Sequence, residues 1–129
     1  MASDLPDAAV AHLTDRPRIA HLATSHDDTP HCAPIWFTYH DDHVEATITG
    51  RKLRDVQANP RVALSLQEDD DGHAKWGLTI HGTAHVVNDP GHADQIHDRI
   101  NDRYDASPDA WDDNVPIRIS IADHQYWEY

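Results

Sequence analysis

The chain has a single cysteine, Cys32, among its 129 residues. No intrachain disulfide can form, and no Cys–His spacing of a zinc site occurs. Lysine is almost as scarce, with only Lys52 and Lys75. Against 10 basic residues stand 23 acidic ones, nearly all aspartate, for a formal net charge of −13. That balance excludes a general nucleic-acid binder, because duplex phosphates would be repelled. No apolar run reaches the length of a membrane span, and the N-terminus lacks the charged-then-apolar pattern of a signal peptide. A cytoplasmic protein is expected. No G-x-S-x-G elbow, P-loop or G-x-G-x-x-G is present. The chain has no self-sufficient nucleophilic or acid–base machinery, so no residue is assigned as catalytic. Any redox chemistry must come from a cofactor.

What the chain has in plenty is aspartate and histidine. An Asp-rich, heavily hydrated surface suits a cytoplasm of molar salt, where screening shrinks to about 3 Å and self-repulsion matters less. Low lysine and abundant aspartate resemble the composition of halophilic proteins, and a halophile is expected over an ordinary acidic protein. The 12 histidines raise the question of a metal. His81 and His85 share a strand face but stand about 13 Å apart by the usual rise. His92 and His97 are five apart on a helix and point different ways. No metal site is expected. The acidic run at 68–73 lacks the ligand alternation and terminal Glu of a calcium loop, and reads as a hairpin tip. Cys32 reads as a small packing residue.

Length allows one domain, 1–129, with a real core. Residues 3–6, S-D-L-P, open a helix with a capping side chain, and Leu5, Ala9, Val10 and Leu13 form its apolar stripe. Strands follow at 18–25, buried on both faces, and at 31–40. Asp41-Asp42 turns the chain into a third strand, giving a three-stranded meander. A fourth strand carries Val62, Leu64 and Leu66. A fifth, at 76–88, holds Gly82 as a bulge or close approach. Asp89-Pro90 opens a helix with Ala93, Ile96, Ile100 and Tyr104. A polar connection containing Trp111 leads to a last strand at 115–122. The fold class is mainly β with short helices, a six-stranded antiparallel closed or split barrel.

The most informative stretch is 44–67. Val44, Ala46 and Ile48 alternate with Glu45, Thr47 and Thr49, the mark of a half-buried strand with the second set facing out. Gly50-Arg51-Lys52 then enters a short helix through Leu53 and Val56. Asn59, in a left-handed cap, and Pro60 end it. A strand thus runs into a helix N-terminus carrying two cations. Free N–H groups and the helix dipole favour an anion there, and phosphate is the natural guest. A solvated basic turn would look similar. Here, however, two of only 10 cations sit side by side.

Four segments carry a family resemblance: R-I-A-H-L-A-T, P-H-C-A-P-I-W-F, V-E-A-T-I-T-G-R-K-L-R-D-V-Q-A-N-P-R-V-A-L-S-L and G-L-T-I-H-G-T-A-H-V-V. They resemble the flavin-binding split-barrel family, which includes pyridoxamine 5′-phosphate oxidase and deazaflavin-dependent reductases. The resemblance covers roughly 18–87 closely and the remainder in element order. It implies a homodimer with cofactor at the subunit interface, acting on a small-molecule substrate. It implies FMN, with Thr49, Arg51 and Lys52 on the phosphate. Thr47 and Ile48 would lie by the ring or ribityl chain, and Pro34, Ile35 and Trp36 along the flavin edge. The deazaflavin coenzyme is an alternative whose longer tail needs a wider cationic exit. A non-catalytic flavin or haem module is a further one. Gly50 stands where many members have Ser, and the late basic residues of the vitamin B6 oxidase are missing. The first removes one hydroxyl ligand from the cofactor phosphate; the second points away from pyridoxamine phosphate as substrate. The aromatic load of Trp76, Trp111, Tyr126, Trp127 and Tyr129 is expected at the dimer interface.

Overall fold

The structure, a computed structural model, describes residues 4–129. In chain order it contains α1 (Asp7–Thr14), β1 (Ala20–His26), β2 (Thr29–Ile35), β3 (Thr38–His40), β4 (His43–Ile48), α2 (Gly50–Ala58), β5 (Arg61–Asp70), β6 (His73–Val86), α3 (Pro90–Arg103) and β7 (Val115–Glu128). All strand pairs are antiparallel, in the order β2-β1-β5-β6-β7-β4-β3. The outermost strands, β2 and β3, are separated in the chain by Trp36 and Phe37 alone. Three residues span at most about 11 Å, so the sheet has to curl until its ends approach. The result is the expected split barrel, with seven strands in place of six.

The extra strand comes from a break in the one expected at 31–40. Phe37 does not join the ladder. Its N–H donates to the Tyr104 hydroxyl at 3.0 Å, and its carbonyl accepts from Arg103 Nη1 at 3.0 Å. Side chains from the end of α3 satisfy the peptide groups that a continuous strand would have paired. The expected meander is therefore two hairpins, β1–β2 and β3–β4, placed at opposite ends of the pairing order.

The hairpins turn on pairs of left-handed residues: Asp27-Asp28, Asp41-Asp42 and Asp71-Gly72. Two-residue hairpins of this hand need positive φ at both positions, which Asp and Gly tolerate best. Part of the aspartate excess is thus turn chemistry. Val44, Ala46 and Ile48 are fully buried, as the alternation predicts, and join Leu22, Phe37, Leu64, Leu78, Ile80, Ile117 and Ile119 in the core. Leu5, Ala9 and Leu13 of α1 belong to the same cluster.

Several local expectations are corrected. α1 begins after Pro6 with no side-chain cap bond, and Ser3 lies outside the described residues. Asn59 is extended (φ −141°), not left-handed, and its side chain accepts from the N–H of Arg61. β1 buries only the face of Ala20, Leu22 and Thr24, while Ile19 is exposed. Cys32 is exposed on β2, the first strand of the order, so it does not pack inside. β7 runs six residues beyond 122, because the equally long β6 offers it a partner as far as Trp76. Glu45 is completely buried although its strand phase points outward. The helix α3 covers that outer face, and Arg99 reaches Glu45 from it.

Gly82 carries both readings made for it. The β6–β7 register shifts between His81 and Gly82, and a Cβ there would lie 2.1 Å from the Ser120 carbonyl oxygen. Backbone cannot yield cheaply. Gly82→Ala should lower stability by about 1–3 kcal/mol. Gly91→Ala, which meets nothing nearer than 3.5 Å, should stay within about 0.5 kcal/mol. Urea melts of the two variants check the contrast.

Candidate functional site

The turn between β4 and α2 is built as the residue pattern requires. Thr49 is extended and caps the helix without a side-chain bond, and Gly50 takes φ +65°. Only glycine enters that region without cost. Arg51 and Lys52 then diverge. Arg51 turns along its own helix to Asp55, Nε to Oδ2 at 3.8 Å. Asp55 is itself buried and accepts from Thr24 Oγ1 at 2.8 Å. Lys52 has no ion-pair or hydrogen-bond partner among the described residues.

Lys52 stands at a cavity of about 330 Å³. Pro34, Ile35, Trp36 and Thr47 line it with Lys52, so five of the eight residues singled out from sequence meet there. The other three do not line it. Ile48 points into the core, and neither its side chain nor its backbone has exposed surface. Thr49 and Arg51 lie on the exposed turn beside it. The chain carries 23 acids, yet none lines this cavity.

Three further lining residues, Ile19, Trp111 and Asn114, had no assigned role here. Trp111 is 59% exposed and holds φ +60°, a strained backbone for a bulky side chain. Its ring meets Trp36 edge-on at 6.2 Å. Trp36 also stacks on Tyr104, 4.6 Å between centroids and 3° from parallel. The Tyr104 hydroxyl donates to the Arg18 carbonyl at 2.6 Å while accepting from Phe37 N–H. Burial pushes that phenol above its ordinary pKa, so it stays a neutral donor. Trp36 is thus held rigidly by the same contacts that break the strand. A tryptophan within a polar, Asp-rich connection was the available signal for Trp111. Trp76 is elsewhere: it is 4% exposed, stacked on His12 at 3.9 Å with Arg18 5.0 Å from the ring centre. It belongs to the core, and is neither an interface residue nor a cofactor wall.

A cavity lined by proline, isoleucine and tryptophan together with one unpaired ammonium suits a planar ring bearing an anionic tail. The sequence profile described as "Pyridoxamine 5'-phosphate oxidase" matches residues 6–128. The chain belongs to the pyridoxamine 5′-phosphate oxidase family. Among solved structures it is similar to an F420 reductase, with 30% identity, TM-score 0.75, and coverage of 94% of this chain and 98% of that one. It is similar in fold to a FAD-binding protein of Mesorhizobium loti, at 22% identity, TM-score 0.76 and coverage of 95% and 94%. The same holds for HutZ, the haem storage protein of Vibrio cholerae, at 17% identity, TM-score 0.78 and coverage of 95% and 93%. No curated protein matches the chain in sequence. No helix among the described residues is long and apolar enough to cross a membrane.

Proposed function

We propose that this protein binds FMN non-covalently and acts as a flavin-dependent oxidoreductase on a small-molecule substrate. The observation that carries this reading is the meeting of Pro34, Ile35, Trp36 and Thr47 with the unpaired Lys52 at one acid-free cavity. Lys52 would hold the cofactor phosphate, helped by the exposed Thr49 and Arg51 and by the free N–H groups of the α2 start. Trp36, locked by Tyr104, would fix the plane of the ring, with Thr47 beside it. Bound there, the flavin supplies the hydride chemistry. The chain orients the ring and keeps water from one of its faces.

The other face calls for a second subunit. Ile19 and Trp111 leave apolar surface at the rim, and contiguous apolar surface on soluble proteins marks an interaction site. We read the protein as a homodimer with two equivalent sites, its mutual repulsion of −13 per chain screened in the molar salt of a halophile's cytoplasm.

The F420 reductase similarity, at 30% identity, favours one second reading, a deazaflavin coenzyme in the same slot. Haem has less support, since no histidine lines the cavity to serve as axial ligand. FMN titrated into the purified protein in molar KCl, followed by flavin fluorescence and light scattering, tests the proposal. Saturation at one FMN per chain and a mass of two chains is expected. Saturation by the deazaflavin coenzyme with none by FMN selects the second reading. A monomer that binds FMN tightly removes the interface site.

A further inference from the structure

A second concavity, of about 270 Å³, lies on the outer face of the sheet under the start of α3. It shares no lining residue with the flavin slot. Its polar lining is His43 from β4, His85 from β6, Arg118 from β7, and Asn88, Asp89 and His92 around the helix N-terminus. Register explains the grouping. Arg118 is the cross-strand partner of His85 on one side and of Glu45 on the other, and directly opposed residues share a face.

Arg118 is the unusual member. Its Nε is the one buried side-chain nitrogen or oxygen without a partner among the described residues. Two other arginines fill the same Nε–Nη2 edge with a carboxylate: Arg99 grips Glu45, and Arg18 grips Asp15. The Nη2 of Arg118 instead lies 2.9 Å from His43 Nδ1, which is also 2.7 Å from the Asp41 carbonyl oxygen. One ring nitrogen cannot accept from a guanidinium and donate to a carbonyl together. Whenever His43 donates to Asp41, the whole edge of Arg118 lacks an acceptor. The nearby acids do not supply one. Glu45 is committed to Arg99 and Thr38. Asp89 Oδ2 caps α3 through His92 N–H. The Asp41 carboxylate is 3.9 Å away and exposed.

The geometry points to a second anion site at Arg118, distinct from the flavin slot, that takes a phosphate-type tetrahedral oxyanion and binds it more tightly in mild acid. A tetrahedral anion can meet donors from several directions: Arg118 on the sheet, His43 and His85 beside it, His92 from the helix. A planar carboxylate would engage little beyond the arginine fork. Histidine is the side chain that gains charge as pH falls through the mildly acid range. Three of them face the site, opposed by the Asp41 and Asp89 carboxylates.

Sulfate is the probe, because its charge is constant where histidine titrates. It is titrated into the full protein at fixed ionic strength, at about pH 5.5 and about pH 8. The histidine ring nitrogen resonances, assigned through single His→Gln variants, report the site separately from Lys52. The expected result is a saturable shift of His43, His85 and His92, with affinity about tenfold higher at the lower pH. Arg118→Gln should abolish saturation and His92→Gln should weaken it severalfold. Acetate should bind far less tightly. Absence of saturation, equal affinity for acetate, or a folded Arg118→Gln that titrates like the parent would overturn the site. Should Arg118→Gln fail to fold, unchanged affinity in His92→Gln would do so.

Discussion

Arg99→Ala is expected to lower folding stability by about 3–5 kcal/mol, the range for removing one partner of a buried ion pair. Glu45 has no exposed surface, and both its oxygens are taken: Oε1 by Thr38 at 2.8 Å and Arg99 Nε at 2.9 Å, Oε2 by Arg99 Nη2 at 2.5 Å. Truncating Arg99 strands that carboxylate under α3. The pH dependence separates stranded charge from lost packing. In the parent, burial works to raise the Glu45 pKa, but the Arg99 and Thr38 hydrogen bonds prevail and hold it below the usual range. The folded state then binds fewer protons than the unfolded one. This stabilisation is complete above the unfolded pKa and is lost as pH falls through the folded one. In Arg99→Ala burial acts with only the Thr38 hydrogen bond and the smaller charge effect of His40 to oppose it, so the pKa moves up and the sign reverses. The deficit should therefore shrink between about pH 7 and about pH 4. Urea melts of parent and variant at both values measure it. An equal deficit at each would assign the loss to packing.

Lys52→Ala is expected to weaken FMN binding by more than about tenfold, the worth of one charge-assisted hydrogen bond. The fold should be untouched, since Lys52 has no partner among the described residues to lose. Arg51→Ala should do less, because Arg51 is already drawn to Asp55 and stands outside the cavity. The double variant should lose about a hundredfold if both cations reach the phosphate. Fluorescence titration of the three variants, with thermal melts alongside, gives the ranking. Unchanged FMN affinity in Lys52→Ala would sink the phosphate assignment.

Much of this was legible from residue order, and the reason is that period and turn chemistry act locally. The alternation of Val44, Ala46 and Ile48 places three side chains inward whatever surrounds them. Gly50 before Arg51-Lys52 marks a strand meeting a helix. Asp89-Pro90 opens α3 through a bond within its own first turn. Pro34, Ile35, Trp36, Thr47 and Lys52, which the family resemblance groups together, line one cavity.

The remainder depended on contacts between residues far apart in the chain. The strand break at Phe37 comes from Arg103 and Tyr104, more than sixty residues downstream. Glu45 faces outward by phase, and only the arrival of α3 turns outward into buried. Arg51 and Lys52 are neighbours in sequence, but one turns to Asp55 while the other borders the cavity without a partner among the described residues. Trp111 reaches the slot because Trp36 is held in place for it to meet. Periodicity states which way a side chain points. What it then meets, and so its charge state and its use, is decided by segments that only folding brings together.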